Sequence, residues 1–377
     1  MAVWSYIIAE LIGGEILAEL PMQSVRFSRR LNKAGDFRAT LPLDDRLAAR
    51  GLDFYDLTTP ARRAIYVLRD DQPQWGGILW TRRYDSESQS MNLQAADWWS
   101  YFDHRKVLPI ISANPDTDVV AGLQTEYQQL DQNEIARRLV SLAQSHTGGD
   151  IGIQLGDTSS AITRDRTYHG YDLKTTGEAL SQLSSVIDGP DIRFDVGSDS
   201  SGDITRGLLI GEPDLGQSGS PLVFEYGGNL TSYTWPSDGT GMSTRSYAVG
   251  DGLEAGTPIA VAEDTSRYAG GWPLLETETG YSSVTSSDVL TEHAEADQQA
   301  ARLPVVLPTL TVRGDLPPQT GTYDPGDDAR VIIRDRFHSR GLDTRMRIVD
   351  MDITPDDGGG ETTVLTMAPL VEGPDIY

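Results

Sequence analysis

Across 377 residues the chain carries 56 acidic against 31 basic side chains, a formal net charge of -25, and no cysteine. That balance excludes a chain-wide basic footprint for nucleic acid and attraction to an anionic membrane, and the missing thiols exclude disulfides and cysteine chemistry. Hydrophobic content of 38%, with 38 glycines and 20 prolines, points to many turns and a mainly β chain with room for two to four domains.

The opening stretch from Met1 to Leu20 is broken by Glu10, Glu15 and Glu19 and lacks a basic leader. It reads as neither a signal peptide nor a span, so we expect a chain made in a cytoplasm that leaves only by lysis, without stable membrane insertion. Trp4–Leu11 and Glu15–Leu20 flank Ile12-Gly13-Gly14 and predict a hairpin. Ser24–Leu31 and Asp36–Leu41 predict a second, around the turn Asn32-Lys33-Ala34-Gly35. Here Phe37, Ala39 and Leu41 alternate with Arg38 and Thr40, so one face is buried. Arg63–Arg69, Gly77–Tyr84 and Ser90–Ala96 follow, the first two joined by Asp70-Asp71-Gln72-Pro73. Short strands at this spacing predict a closed or nearly closed barrel.

Beyond residue 115 the periodicity becomes helical. Asp131 and Glu134 have capping-box spacing, and Ile135, Leu139, Leu142 and Ala143 form one stripe of a helix ending near Gly148. A short strand at Ile151–Leu155, a helix from Thr175–Glu178 and a strand at Ile192–Val196 complete an α/β insertion. Strand texture returns at Gly207–Ile210, Leu222–Tyr226, Leu230–Trp235, Ser243–Gly250 and Thr257–Ala262, before a helix over Asp288–Leu303 stopped by Pro304. The end reads as a meander of Ala329–Arg334, Thr344–Ile353 and Thr362–Met367. The apolar phase slips between Ile348 and Val349, which predicts a bulge, and an exposed turn is expected at Gly358–Gly360.

A search for chemistry nominates no catalytic, cofactor-binding or metal residue. His104, His146, His169, His293 and His338 have no metal-ligand spacing and read as surface or loop side chains. No phosphate loop or zinc-protease motif occurs, and Gly216-Gln217-Ser218-Gly219-Ser220 misses the last glycine of a nucleophile elbow. Asp195, Asp199 and Asp203 read as an acidic loop rather than a calcium loop, and no spacing pairs Glu126, Glu134 and Asp150 as glycosidase acids. The run Trp98-Trp99-Ser100-Tyr101-Phe102 is either a carbohydrate platform or, the favoured reading, a hydrophobic plug. Trp272 and Tyr281 could meet a sugar or cover a loop.

At Ser24–Leu43 the text SVRFSRRLNKAGDFRATLPL resembles the opening of tail-tip hub proteins of long-tailed phages, especially those of actinobacterial hosts. Trp75-Gly76-Gly77-Ile78-Leu79, Ala95–Phe102, Ala248-Val249-Gly250-Asp251-Gly252, Glu292–Leu303, Tyr323-Asp324-Pro325-Gly326-Asp327 and Ile348–Thr354 resemble later family segments in the same order. The resemblance implies a mainly β fold with an α/β insertion: two tube-like β-barrel domains, 1–110 and 201–305, an insertion at 111–200, and a small C-terminal β-barrel at 306–377. It implies a non-enzymatic homotrimer at the virion tail tip that adapts a sixfold tube to a threefold tip. Expected partners are the distal tail protein ring, the tape measure protein and other tail-tip proteins, with no cofactor. DNA would pass through the lumen without specific binding, and an acidic wall would keep it from adhering; plain solubility is the blander reading of the charge. Because the chain ends after the small barrel, the lytic domain of some members is not expected. A carbohydrate-binding tail adhesin is the alternative.

Overall fold

The computed structural model describes residues 2–111, 119–186, 188–218, 222–252, 254–281, 287–356 and 360–370. The chain is mainly β, in several sheets. By internal contacts it divides into two compact units, Met1–Tyr233 with Thr309–Tyr377, and Thr234–Pro308.

In the larger unit the N-terminal strands form as their alternation requires. Trp4–Glu10 pairs antiparallel with Ile16–Glu19, and Gln23–Arg30 with Asp36–Pro42. Phe37, Ala39 and Leu41 are buried and Arg38 is not. Arg63–Arg69 and Gln72–Asp85 are joined by Asp70 and Asp71 alone, at φ +49° and +62°, with Arg69 opposite Gln72. This is a two-residue hairpin of the mirror-image type, tighter than the four-residue turn expected, because acidic residues tolerate the left-handed region.

In place of separate closed barrels, the described residues show one 13-stranded sheet that runs through both ends of the chain. Gln23–Arg30 adds to Leu342–Pro355, with Arg29 opposite Met351 and Phe27 opposite Ile353. Among the described residues the recorded pairing is open, ending on Leu230–Thr234 and Ile16–Glu19. The physical reason lies in backbone edges. Alternation dictates which face is buried, but an unpaired row of N–H and C=O groups accepts any compatible strand, however distant in sequence. Leu222–Glu225, read above with residues 201–305, runs parallel to Asp328–Ile333 in this same sheet. The predicted bulge is present: the register of Leu342–Pro355 against Glu361–Pro369 shifts between Ile348 and Asp350. Gly358 and Gly359 of the expected turn lie outside the described residues.

The α/β segment carries helices Gln132–Ser145 and Thr176–Ser184 over a sheet of Ile192–Ser198, Ile204–Ile210 and Ile153–Gln154. Asp131 caps the first helix through the N–H groups of Asn133 and Glu134. Glu134 itself turns to Arg137 and Arg138, so the cap works one way only. The reciprocal box is at Thr175 and Glu178. A ribbon of Gln124–Asp131 and Thr163–His169, unforeseen because its residues are mostly polar, buries little beyond Tyr127 and Tyr168. One apolar cluster runs from Ala9, Tyr66, Ile78 and Trp98 into both helices and the sheet beneath them.

In the smaller unit Arg245–Val249 lies between Ile259–Glu263 and Glu276–Gly280, with helix Ser287–Ala300 packed through Leu290 and Ala294 on Ala248.

Candidate functional site

The aromatic run decides between its two readings by burial. Trp98 is 0% and Trp99 4% exposed, and Phe102 stacks on Phe194 at 4.9 Å. The run is therefore a plug joining the first strands to the α/β segment, and no sugar can reach Trp98 or Trp99. Trp272 is covered by Arg267, 5.6 Å from its ring, and Tyr281 donates to Asp297 and stacks on His293.

The remaining nominated residues do not converge. His104 packs on Trp80, His146 meets the Leu108 carbonyl, His169 stacks on Tyr171, and His338 packs near Tyr233. Asp199 folds its own loop by accepting from Ser201 and Asp203 N–H, and Asp195 is bound in ion pairs. Among the described residues no group of three or more His, Asp or Glu is placed to hold a metal ion.

What the structure does assemble is a seam of arginines and carboxylates that sequence reading missed. Arg29 reaches Asp195 at 2.6 Å and also meets Asp324; Arg193 reaches Asp195 at 2.9 Å and Asp324 at 3.1 Å. Burial alone pushes the Asp324 carboxyl up, but Arg29 and Arg193 outweigh it and hold the group below its usual range. Arg29 is held above its ordinary value by the same acids, against the effect of burial. Arg193 further donates to the Pro325 carbonyl. Next to this square, Arg347 bridges Asp191 and Asp214. Arg69 makes a two-pronged contact with buried Glu361 at 2.7 and 3.0 Å. Apart from Arg193 with Asp195, two positions away, each ion pair ties residues more than a hundred positions apart, so no local spacing could announce it. The faint signal was the concentration of arginine over lysine, since the planar fork matches a carboxylate.

Asp97 is another buried acid. Its oxygens accept from the N–H groups of Gly35 at 2.6 Å and Trp99 at 3.0 Å. Burial nevertheless pushes the carboxyl up to about 7, against those two donors and Arg30. It lines a narrow crevice with Arg29, Gln74, Trp75 and Arg193. These groups bond to one another and to backbone groups, the Arg193 Nε alone of the Arg193 nitrogens lacking a partner among the described residues, and the contacts fasten strands and orient loops.

No protein-family model matches the chain, and no curated protein is similar to it. Solved structures are similar in fold. The 43 kDa tail protein of prophage MuSo2 from Shewanella oneidensis superposes at a TM-score of 0.60 with 14% identity, over 97% of this chain and 98% of that one. A tail protein from Neisseria meningitidis MC58 gives 0.57 and 13%, over 96% of each chain. A prophage tail protein from Listeria monocytogenes EGD-e gives 0.53 and 13%, over 96% and 94%.

Proposed function

We propose that this chain is a structural, non-enzymatic subunit of a phage tail, the hub of the tail tip, whose copies close into a ring of three around a channel for DNA. The observation that carries the reading is the end-to-end likeness in fold to phage tail proteins, spanning 94–98% of those chains. In this reading residues 1–110 and 201–305 supply the tube-like pair, 111–200 the insertion and 306–377 the distal part. The ring adapts a sixfold tube to a threefold tip, touching the distal tail protein ring, the tape measure protein and other tail-tip proteins in a long-tailed virion. A net charge of -25 per chain suits a wall that DNA crosses without sticking. The adhesin alternative loses its platform, because Trp98 and Trp99 are buried.

Light scattering on the purified chain, followed by imaging, tests this reading. Three chains of 41.2 kDa give about 124 kDa and a ring with a central hole. A monomer at every concentration, with no ring at the tip of assembled particles, overturns it.

A further inference from the structure

Strands Asp328–Ile333 and Leu342–Pro355 are joined by a tip reading Arg-Asp-Arg-Phe-His-Ser-Arg-Gly over residues 334–341. Arg334, Arg336 and Arg340 are exposed, and Phe337 between them is 73% exposed. The tip is held at its base. Asp335 accepts from the N–H groups of Phe337 at 3.0 Å and His338 at 2.8 Å, and the Tyr233 hydroxyl donates to its other oxygen. Gly341, at φ +83°, turns the chain back. Of the neighbouring arginines, Arg330 pairs with Asp343 and Arg347 with Asp191 and Asp214, while Arg345 donates to the Ser218 carbonyl. Arg334, Arg336 and Arg340 make no ion pair among the described residues, in a chain with 56 acids. A fixed cluster of unmatched arginines around an exposed aromatic is the composition of a contact anchor.

The smaller unit offers the complement. Residues 234–308 hold eleven acidic and three basic side chains. On helix Ser287–Ala300, Asp288, Glu292 and Glu295 are exposed at spacings of four and three, which places them on one face. They too make no ion pair among the described residues. Directly after the helix, Leu303, Val305 and Leu307 are exposed at alternate positions while Val306 between them is buried.

We infer that the tip at 334–341 of one copy docks on the acidic helix face and the Leu303, Val305 and Leu307 stripe of a second copy. The occupant is another copy because charge and apolarity match on both sides and both halves are present in every chain. The two surfaces differ, so the contact is head-to-tail, the kind that closes a ring. It also answers an electrostatic problem: chains of charge -25 repel, and ring closure needs a local match of opposite sign. The inference rests on the ring reading above and names its contact.

The test is charge exchange read by light scattering at low and high salt. Reversing the tip (Arg334→Glu, Arg336→Glu and Arg340→Glu together) should drop the mass from about 124 kDa to the 41.2 kDa chain. Reversing the helix (Asp288→Lys, Glu292→Lys and Glu295→Lys) should do the same. Circular dichroism on each confirms that it folds. A chain with both reversals should regain the ring, since the pairs are restored with signs exchanged. Phe337→Ala should weaken association by about tenfold or more. Wild-type rings with intact rings in both reversed chains overturn the inference and leave the ring standing. Loss of the ring in one reversed chain without rescue in the double also overturns it. A tip reversal that keeps the ring but abolishes binding to a 30-base-pair duplex reassigns the tip to nucleic acid. A wild-type chain that never assembles overturns both readings.

Discussion

The Arg206 guanidinium lies 4.5 Å from the centroid of the Trp98 ring and also donates to the Tyr66 hydroxyl at 2.8 Å and the Leu11 carbonyl at 2.7 Å. It meets the Ile151 carbonyl as well, and it is 5% exposed. A buried cation is thus held by carbonyl dipoles and an aromatic face, and no ion pair is recorded for it among the described residues. It joins Trp4–Glu10, the aromatic plug and Ile204–Ile210 in one contact. Arg206→Ala should lower unfolding free energy by about 3 kcal/mol, since it opens a cavity and orphans two buried carbonyls. Arg206→Lys should recover less than half, because one ammonium cannot span the same acceptors. Urea denaturation with an unchanged slope is the measurement; a loss below about 1 kcal/mol for alanine would show that the contact is dispensable.

Asp97 gives the fold a pH dependence. Its carboxyl is raised from 3.8 to about 7, so between those values the folded state holds a proton that the unfolded state has released. The contribution therefore falls as pH rises through this window, by about 1.4 kcal/mol per unit crossed. Comparing Asp97→Asn with wild type by thermal unfolding at pH 5 and pH 7.5 isolates the group. The wild type should lose stability relative to the variant on going to the higher pH. Parallel curves for the two chains would refute this.

The square of Arg29, Arg193, Asp195 and Asp324 has the opposite sign at its acid end. Asp324 is held low, so its stabilising share is present above the usual carboxylate range and disappears as pH falls through the folded value. Arg29→Ala leaves Asp195 and Asp324 with one cation between them and should cost about 3 kcal/mol at neutral pH. The penalty should shrink at acid pH, as Asp324 protonates below its depressed folded value. A penalty that is the same at neutral and at acid pH would mean that packing, not charge, is lost.

Gly35 is pinned by space rather than by dihedral. A methyl there would sit 2.1 Å from the Ser28 carbonyl oxygen. Gly35→Ala should force the hairpin of Gln23–Arg30 and Asp36–Pro42 apart, pull the Gly35 N–H off Asp97, and cost about 2 kcal/mol or more. A melting temperature within 1 °C of wild type would contradict the crowding.

Thr175→Ala removes one half of the reciprocal cap on helix Thr176–Ser184 and should cost about 1 kcal/mol. The matched change Asp131→Ala should cost a similar amount, and hydrogen exchange in the first turn of each helix reports it locally. Unaltered exchange in the capped turn would show that packing on Leu180 and Leu183 alone orders the helix.

Much of the fold was legible because local physics is written locally. Two-residue periodicity marked Phe37, Ala39 and Leu41 as one buried face. The phase slip at Val349 announced its bulge, since a one-residue insertion is visible wherever a face is buried. Helical stripes and stop signals located Gln132–Ser145 and Ser287–Ala300. The absence of thiols and the acidic excess were complete in the composition. What only the tertiary structure decided is non-local. Whether Trp98 and Trp99 faced solvent or core depended on helices that come later in the chain. The pairing of Phe27 with Ile353 depended on two edges meeting across more than three hundred residues. The match of Arg29 with Asp195 and Asp324 required three segments to converge. An edge of backbone donors and acceptors, or a planar guanidinium, will take any partner of the right geometry. The partner is chosen by how the whole chain packs, and that choice leaves no mark in local spacing.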